Sequence, residues 1–205
     1  MTIHPRIYLS SQSPRRRELL KQIGVNFEML LLRSDPRRRM DVDETPHTAE
    51  SPETYVQRVC EDKVRAAGDS LEFRNLPAHP VLAADTTVTV DGDILGKPRD
   101  QADAAAMLRQ LSGRQHQVFS AVSVALGDRV ETRLSVSKVT FATLSEERIR
   151  RYLLTHEHLD KAGAYSIQGY AAAFIPHIEG SYSGVMGLPL FETAELLQAF
   201  GYPVL

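Results

Sequence analysis

The chain has 205 residues, 42% of them hydrophobic, enough for one globular domain or a pair of small lobes. Its net charge of −2 argues against general nucleic-acid binding, although arginines cluster at 15–17 and 37–39 and acids at 41–44. A lone cysteine, Cys60, rules out an internal disulfide, and neither a signal-like segment nor a membrane-length apolar run is present, so a reduced, cytoplasmic setting is expected.

In chain order, residues 6–10 read as a short strand. Ser13-Pro14 then supplies a capping residue followed by the residue favoured in the first helical position. Leu19, Leu20 and Ile23 recur on one face of that helix, and Gly24 stops it. Arginines fill its first turns, where the helix dipole disfavours cations. A helix start carrying the Ser11 and Ser13 hydroxyls beside Arg15 and Arg16 is suited to a phosphate-bearing ligand.

Residues 25–32 read as a strand, and 33–50 as a loop that is mobile without a ligand. Ser51-Pro52 opens a second helix with Val56, Val59, Cys60, Lys63 and Ala67 on its inner face, so Lys63 either snorkels to water or turns toward a ligand. Residues 81–90 begin as an apolar run, as a buried strand does, and Asp85 interrupts it. A carboxylate there costs free energy unless it is paired or binds a metal. The Asp91-Gly92 turn returns the chain through 94–95 and carries Lys97 back toward Asp85.

Asp100 caps a structural helix that ends at Gly113. Residues 118–126 and 130–144 form a long antiparallel pair about Gly127-Asp128, and Ser145 caps another helix. The His156/His158 pair at its end reads as surface, not as a zinc site. A glycine-bearing loop at 160–169, a strand at 170–178 and a final helix at 191–200 complete the reading.

Five stretches now stand out in order: Ser11-Gln12-Ser13-Pro14-Arg15-Arg16, Ala84-Asp85-Thr86, Gly96-Lys97-Pro98-Arg99-Asp100, the run DKAGAYSIQG at 160–169, and Gly187-Leu188-Pro189-Leu190. Together they resemble the Maf family of nucleoside triphosphate pyrophosphatases, also called septum formation proteins, over nearly the whole chain. The resemblance implies an α/β fold like that of the inosine triphosphate pyrophosphatases: a long mixed sheet flanked by helices, one domain over 1–205, with a cleft between two lobes. It implies cleavage of a nucleoside triphosphate to monophosphate and pyrophosphate with Mg²⁺ or Mn²⁺. A homodimer follows from the fold analogy alone, and neither nucleic acid nor membrane is expected as a partner.

On that resemblance Asp85 is the catalytic carboxylate, acting as base or metal ligand, and Glu44 is a second metal ligand. The alignment of Glu44 is loosened by apparent extra length at 34–40. The substrate-binding set is Ser11, Arg15, Arg16, Lys63, Thr86, Lys97, Lys161 and Gln168. The chemistry asks for such cations, because attack at phosphorus builds charge on the leaving pyrophosphate. The Gln168 amide offers a donor and an acceptor to match the N3–H and O4 of uracil or thymine. Arg15, Thr86 and Gln168 thus resemble the dTTP and UTP branch. A nucleotide-binding regulator of cell division without turnover is the competing reading, and Asp85 speaks against it, since a carboxylate beside a polyanion weakens simple binding.

Overall fold

The computed structural model describes residues 6–33 and 41–204. The arginine run at 37–39 and the extra length at 34–40 lie outside these residues. β1 (Arg6–Leu9), α1 (Pro14–Gln22) and β2 (Asn26–Met29) form the first unit, followed by α2 (Pro52–Phe73), β3 (Val81–Val90), β4 (Asp93–Leu95) and α3 (Gln101–Leu111). The long hairpin β5 (Gln115–Leu126) and β6 (Arg129–Thr140) precedes α4 (Glu146–Leu153), β7 (His177–Glu179), α5 (Tyr182–Met186) and α6 (Leu190–Ala199).

The described strands make one mixed sheet in the order β2-β1-β3-β5-β6-β7, with β4 paired to β3. β1 is parallel to β2 and to β3, and the remaining pairings are antiparallel. β3 is buried along most of its length because both faces are covered, which explains its near-continuous apolar sequence. Alternation then sorts its residues. Val81 and Ala83 pack with Val64, Ala67 and Leu71 of α2, whereas Leu82 and Ala84 pack with Leu19 and Leu20 of α1 and Leu196 and Leu197 of α6. By the same parity Asp85 faces the α2 side and Thr86 the α1 side.

The helix starts follow local chemistry. Ser51, Asp100 and Ser145 each accept a hydrogen bond from a first-turn amide. Ser13 makes no such side-chain bond, so the first turn of α1 is not closed by its own cap.

Two expectations are corrected. Residues 170–174 form a 3₁₀ turn, and only 177–179 are strand. The carboxylate of Glu157 accepts from the amides of Tyr170 (2.7 Å) and Ala171 (3.2 Å) and from the Tyr152 hydroxyl (3.1 Å), taking amides that a strand would offer to a neighbour. Gly169 makes room for it, since a Cβ there would lie 1.8 Å from Glu157 Oε2. His158 is buried, so only His156 of that pair is at the surface. Among the described residues no cluster of three or more metal-ligating side chains involves either histidine. The described part of the loop after β2, residues 41–50, is joined to α2 by side-chain hydrogen bonds.

Candidate active site

A cleft of roughly 910 Å³ opens over the middle of β3. It is walled by the turn before α1, the loop after β2, the 96–97 segment beyond β4, the 160–162 turn and the end of α5. Ser11, Arg15, Arg16, Glu44, Lys63, Asp85, Thr86, Lys97 and Lys161 all line it. Gln168 does not: it is exposed, just before the Glu157-held turn, and the structure places it apart from this lining. Tyr55 and Tyr165 also line the cleft and are absent from the expected set; nothing in the local sequence of Tyr55 separates it from a core aromatic, whereas Tyr165 lies within the 160–169 stretch.

Arg16 is the most constrained cation. Its Nε donates to the Gly187 carbonyl (2.8 Å), Nη1 to Ser11 Oγ (3.2 Å) and Nη2 to Thr86 Oγ1 (3.5 Å). Thr86 and Ser120 are cross-strand partners with hydroxyls 3.1 Å apart, and Ser120 Oγ donates to the Gly184 carbonyl (2.7 Å). A continuous polar chain therefore runs from the start of α1 across β3 and β5 to α5. Arg15 Nε donates to the Met186 carbonyl (3.2 Å). These partners are neutral oxygens, so they orient the guanidinium groups without cancelling their charge. Gly187, at φ 115°, is the left-handed residue that turns the chain at the end of α5.

Lys63 supplies the second centre. Its Nζ lies 2.6 Å from Asp85 Oδ1 and 3.0 Å from Glu44 Oε1, so the lysine turns into the cleft instead of snorkelling outward. Burial works against its charge, but Asp85 and Glu44 outweigh burial and raise its pKa. Burial and the same two carboxylates push the Tyr55 hydroxyl up to about 12, keeping it a donor at neutral pH. Lys161 is shifted the other way, its pKa lowered by burial and then by Arg15, with Lys97 adding to the repulsion.

Beneath the site Cys60 is buried, accepting from Ser123 Oγ at 3.1 Å, and burial pushes its thiol up to about 12, so it is chemically quiet. The donor set fits a hard divalent cation. Asp85 and Glu44 converge on one ammonium from separate segments, and Mg²⁺ and Mn²⁺ favour one or two carboxylates completed by phosphate oxygens and water.

Comparison with known proteins agrees with this architecture. A sequence profile described as "Maf-like protein" matches residues 6–200. A protein of Aromatoleum aromaticum named dTTP/UTP pyrophosphatase is 56% identical over 203 residues, covering 98% of each chain. One of the same name from Ralstonia nicotianae is 55% identical over 195 residues, covering 95% of this chain and 93% of its own. Among solved structures, the Staphylococcus aureus Ham1 protein superposes with a TM-score of 0.50 at 17% identity, over 95% of this chain and 97% of its own, a likeness of fold.

Proposed function

The chain belongs to the Maf family, and on that premise we propose that it hydrolyses dTTP and UTP to the monophosphate and pyrophosphate. The carrying observation is the pairing of two kinds of centre across one strand: Arg16 on neutral acceptors that include Thr86, and carboxylates around Lys63 at Asp85. The first kind binds a polyanion. The second has no use in binding one, and hydrolysis needs it.

Arg15 and Arg16 take the phosphate oxygens, with Lys97 and Lys161 of the same cleft reaching the same chain. Their charge is in place before reaction, where it stabilises the pyrophosphate as it leaves. Asp85 acts on the attacking water or holds the cation. Lys63 donates to Oδ1, which leaves Oδ2 for either task. Asp85 and Glu44 would hold Mg²⁺ or Mn²⁺, which supplies Lewis-acid neutralisation of phosphate oxygens. Base choice belongs to Gln168, whose amide pattern suits uracil and thymine. In this reading Gln168 closes over the base when nucleotide enters.

The same proposal includes a single domain with two lobes about the cleft, a cytoplasmic setting and a homodimer, with no nucleic-acid or membrane partner. The described residues contain no helix long and apolar enough to cross a membrane. Incubation with Mg²⁺ or Mn²⁺ and a panel of dTTP, UTP, CTP, GTP and 7-methylguanosine triphosphate tests the reaction. Monophosphate and pyrophosphate, formed fastest from dTTP and UTP, are expected. Release of orthophosphate and diphosphate would overturn the position of attack, and binding without turnover would favour the regulator.

A further inference from the structure

We propose that Arg58 is the positioning residue for Glu44, clamping the loop after β2 onto α2 so that the Glu44 carboxylate is held beside Asp85 to receive the divalent cation. This rests on the reading of Glu44 as a cation ligand. Arg58 is absent from the cleft lining, so it acts through the loop and not on substrate.

Tyr55 and Arg58 are three residues apart on α2 and therefore share a face. Between them they take three consecutive backbone carbonyls. Arg58 Nη1 donates to Asp43 O (3.4 Å), the Tyr55 hydroxyl to Glu44 O (2.9 Å) and Arg58 Nη2 to Thr45 O (3.1 Å). The far end of the loop returns to the same guanidinium. Glu50 accepts from Arg58 Nε (2.7 Å) and Nη2 (2.9 Å) and also from the His47 amide (3.0 Å). The Thr45 amide donates to Asp43 Oδ1 (2.9 Å), tightening the turn between them.

A single planar fork thus ties both ends of the 43–50 segment, a task that needs several donors in fixed directions and that lysine cannot reproduce. Glu44 needs such help. Its side chain is 53% exposed and is ion-paired with Lys63, so its backbone must fix where the carboxylate falls. A flexible loop would present that oxygen only part of the time, weakening metal affinity by the fraction of time it is away.

The test is Mn²⁺ binding to nucleotide-free protein, followed by electron paramagnetic resonance, alongside the Mn²⁺ dependence of turnover. Wild type is compared with Arg58→Ala, Arg58→Lys, Glu44→Gln and the Arg58→Ala/Glu44→Gln double variant. Arg58→Ala is expected to weaken Mn²⁺ binding about tenfold and to raise the Mn²⁺ needed for half-maximal turnover in parallel, with kcat at saturating Mn²⁺ largely kept. Arg58→Lys falls between. In the Glu44→Gln background the Arg58 change adds less than about twofold, because the ligand it positions is already gone.

If Glu44→Gln weakens binding and Arg58→Ala does not, the clamp proposal is overturned while the ligand reading stands. If Glu44→Gln binds Mn²⁺ like wild type, both fail, whatever the product panel shows. Should Arg58→Ala not fold, Tyr55→Phe removes only the hydroxyl that holds Glu44 O. It is expected to move Mn²⁺ binding the same way by a smaller factor, and unchanged binding would count against the clamp.

Discussion

Lys63 and His116 are both basic side chains withdrawn from water, and they end in opposite states. Lys63 stands between Asp85 and Glu44, and its ammonium is favoured despite burial. His116, 2% exposed, is packed edge-on against Phe141 and Tyr165, with Nε2 2.8 Å from the Tyr165 hydroxyl and Nδ1 without a hydrogen-bond partner among the described residues. Burial alone acts on it and lowers its pKa to about 4. The two residues contact the same sheet, so burial does not decide whether a charge survives. What faces the group decides it, and this fold places opposite charges at the middle of β3 and rings toward its end.

The largest way to break the contrast is Asp85→Asn, which strips Lys63 of its nearer carboxylate. Turnover is expected to fall by about 10²–10⁴-fold while near-ultraviolet circular dichroism stays that of a folded protein. Wild-type-like kinetics would remove Asp85 from the chemistry. Next comes Arg16→Lys, which keeps the charge and loses the fork to Gly187, Ser11 and Thr86. A fall in kcat/KM of roughly 10–10²-fold is expected, since charge-assisted bonds contribute about 1.5–3 kcal/mol each. Full retention would mean that charge alone is what the nucleotide reads.

The third effect is nil at pH 7.5 and appears only in acid. Because the folded pKa of His116 lies below its unfolded value of 6.5, its contribution is fully present above pH 6.5 and is lost as pH falls toward about 4. Thermal melts should lose roughly 1–3 kcal/mol across that window, and His116→Gln should flatten the slope whatever it does to absolute stability. An unchanged slope would mean that His116 titrates normally.

Much of this was legible in the sequence, for local reasons. Ser51, Asp100 and Ser145 cap the helices as read, and β3 occupies residues 81–90 because its apolar run is buried on both faces. The cations of the cleft were legible too, because charges that local propensity disfavours must be held by something distant. The failures are long-range. The run Tyr170-Ala171-Ala172-Ala173-Phe174 carries no pattern that separates a strand from a turn, and Glu157, 13 residues before Tyr170, holds it as a turn. α5 is bracketed by Ser181 and Gly187, a readable cap and stop, but five residues carry no helical period. The Arg58–Glu50 pair has no local signature, since a loop sets its spacing. Gln168 was matched by motif, and a motif fixes neither which way a side chain points nor whether a loop has closed.

Arg15 and Arg16 make their anchoring bonds to carbonyls 171 residues further along the chain. Seen during synthesis, where residues emerge one after another, this separation sets a schedule. These two cations of the cleft are made among the first residues and lack those carbonyl anchors until α5 has been translated and docked. β1, likewise, waits for β3 before its parallel pairing can form, a non-local closure of the kind that folds slowly. A nascent chain therefore has no finished phosphate site to offer a nucleotide, and the ability to bind one arrives late, together with the packing of the C-terminal helices.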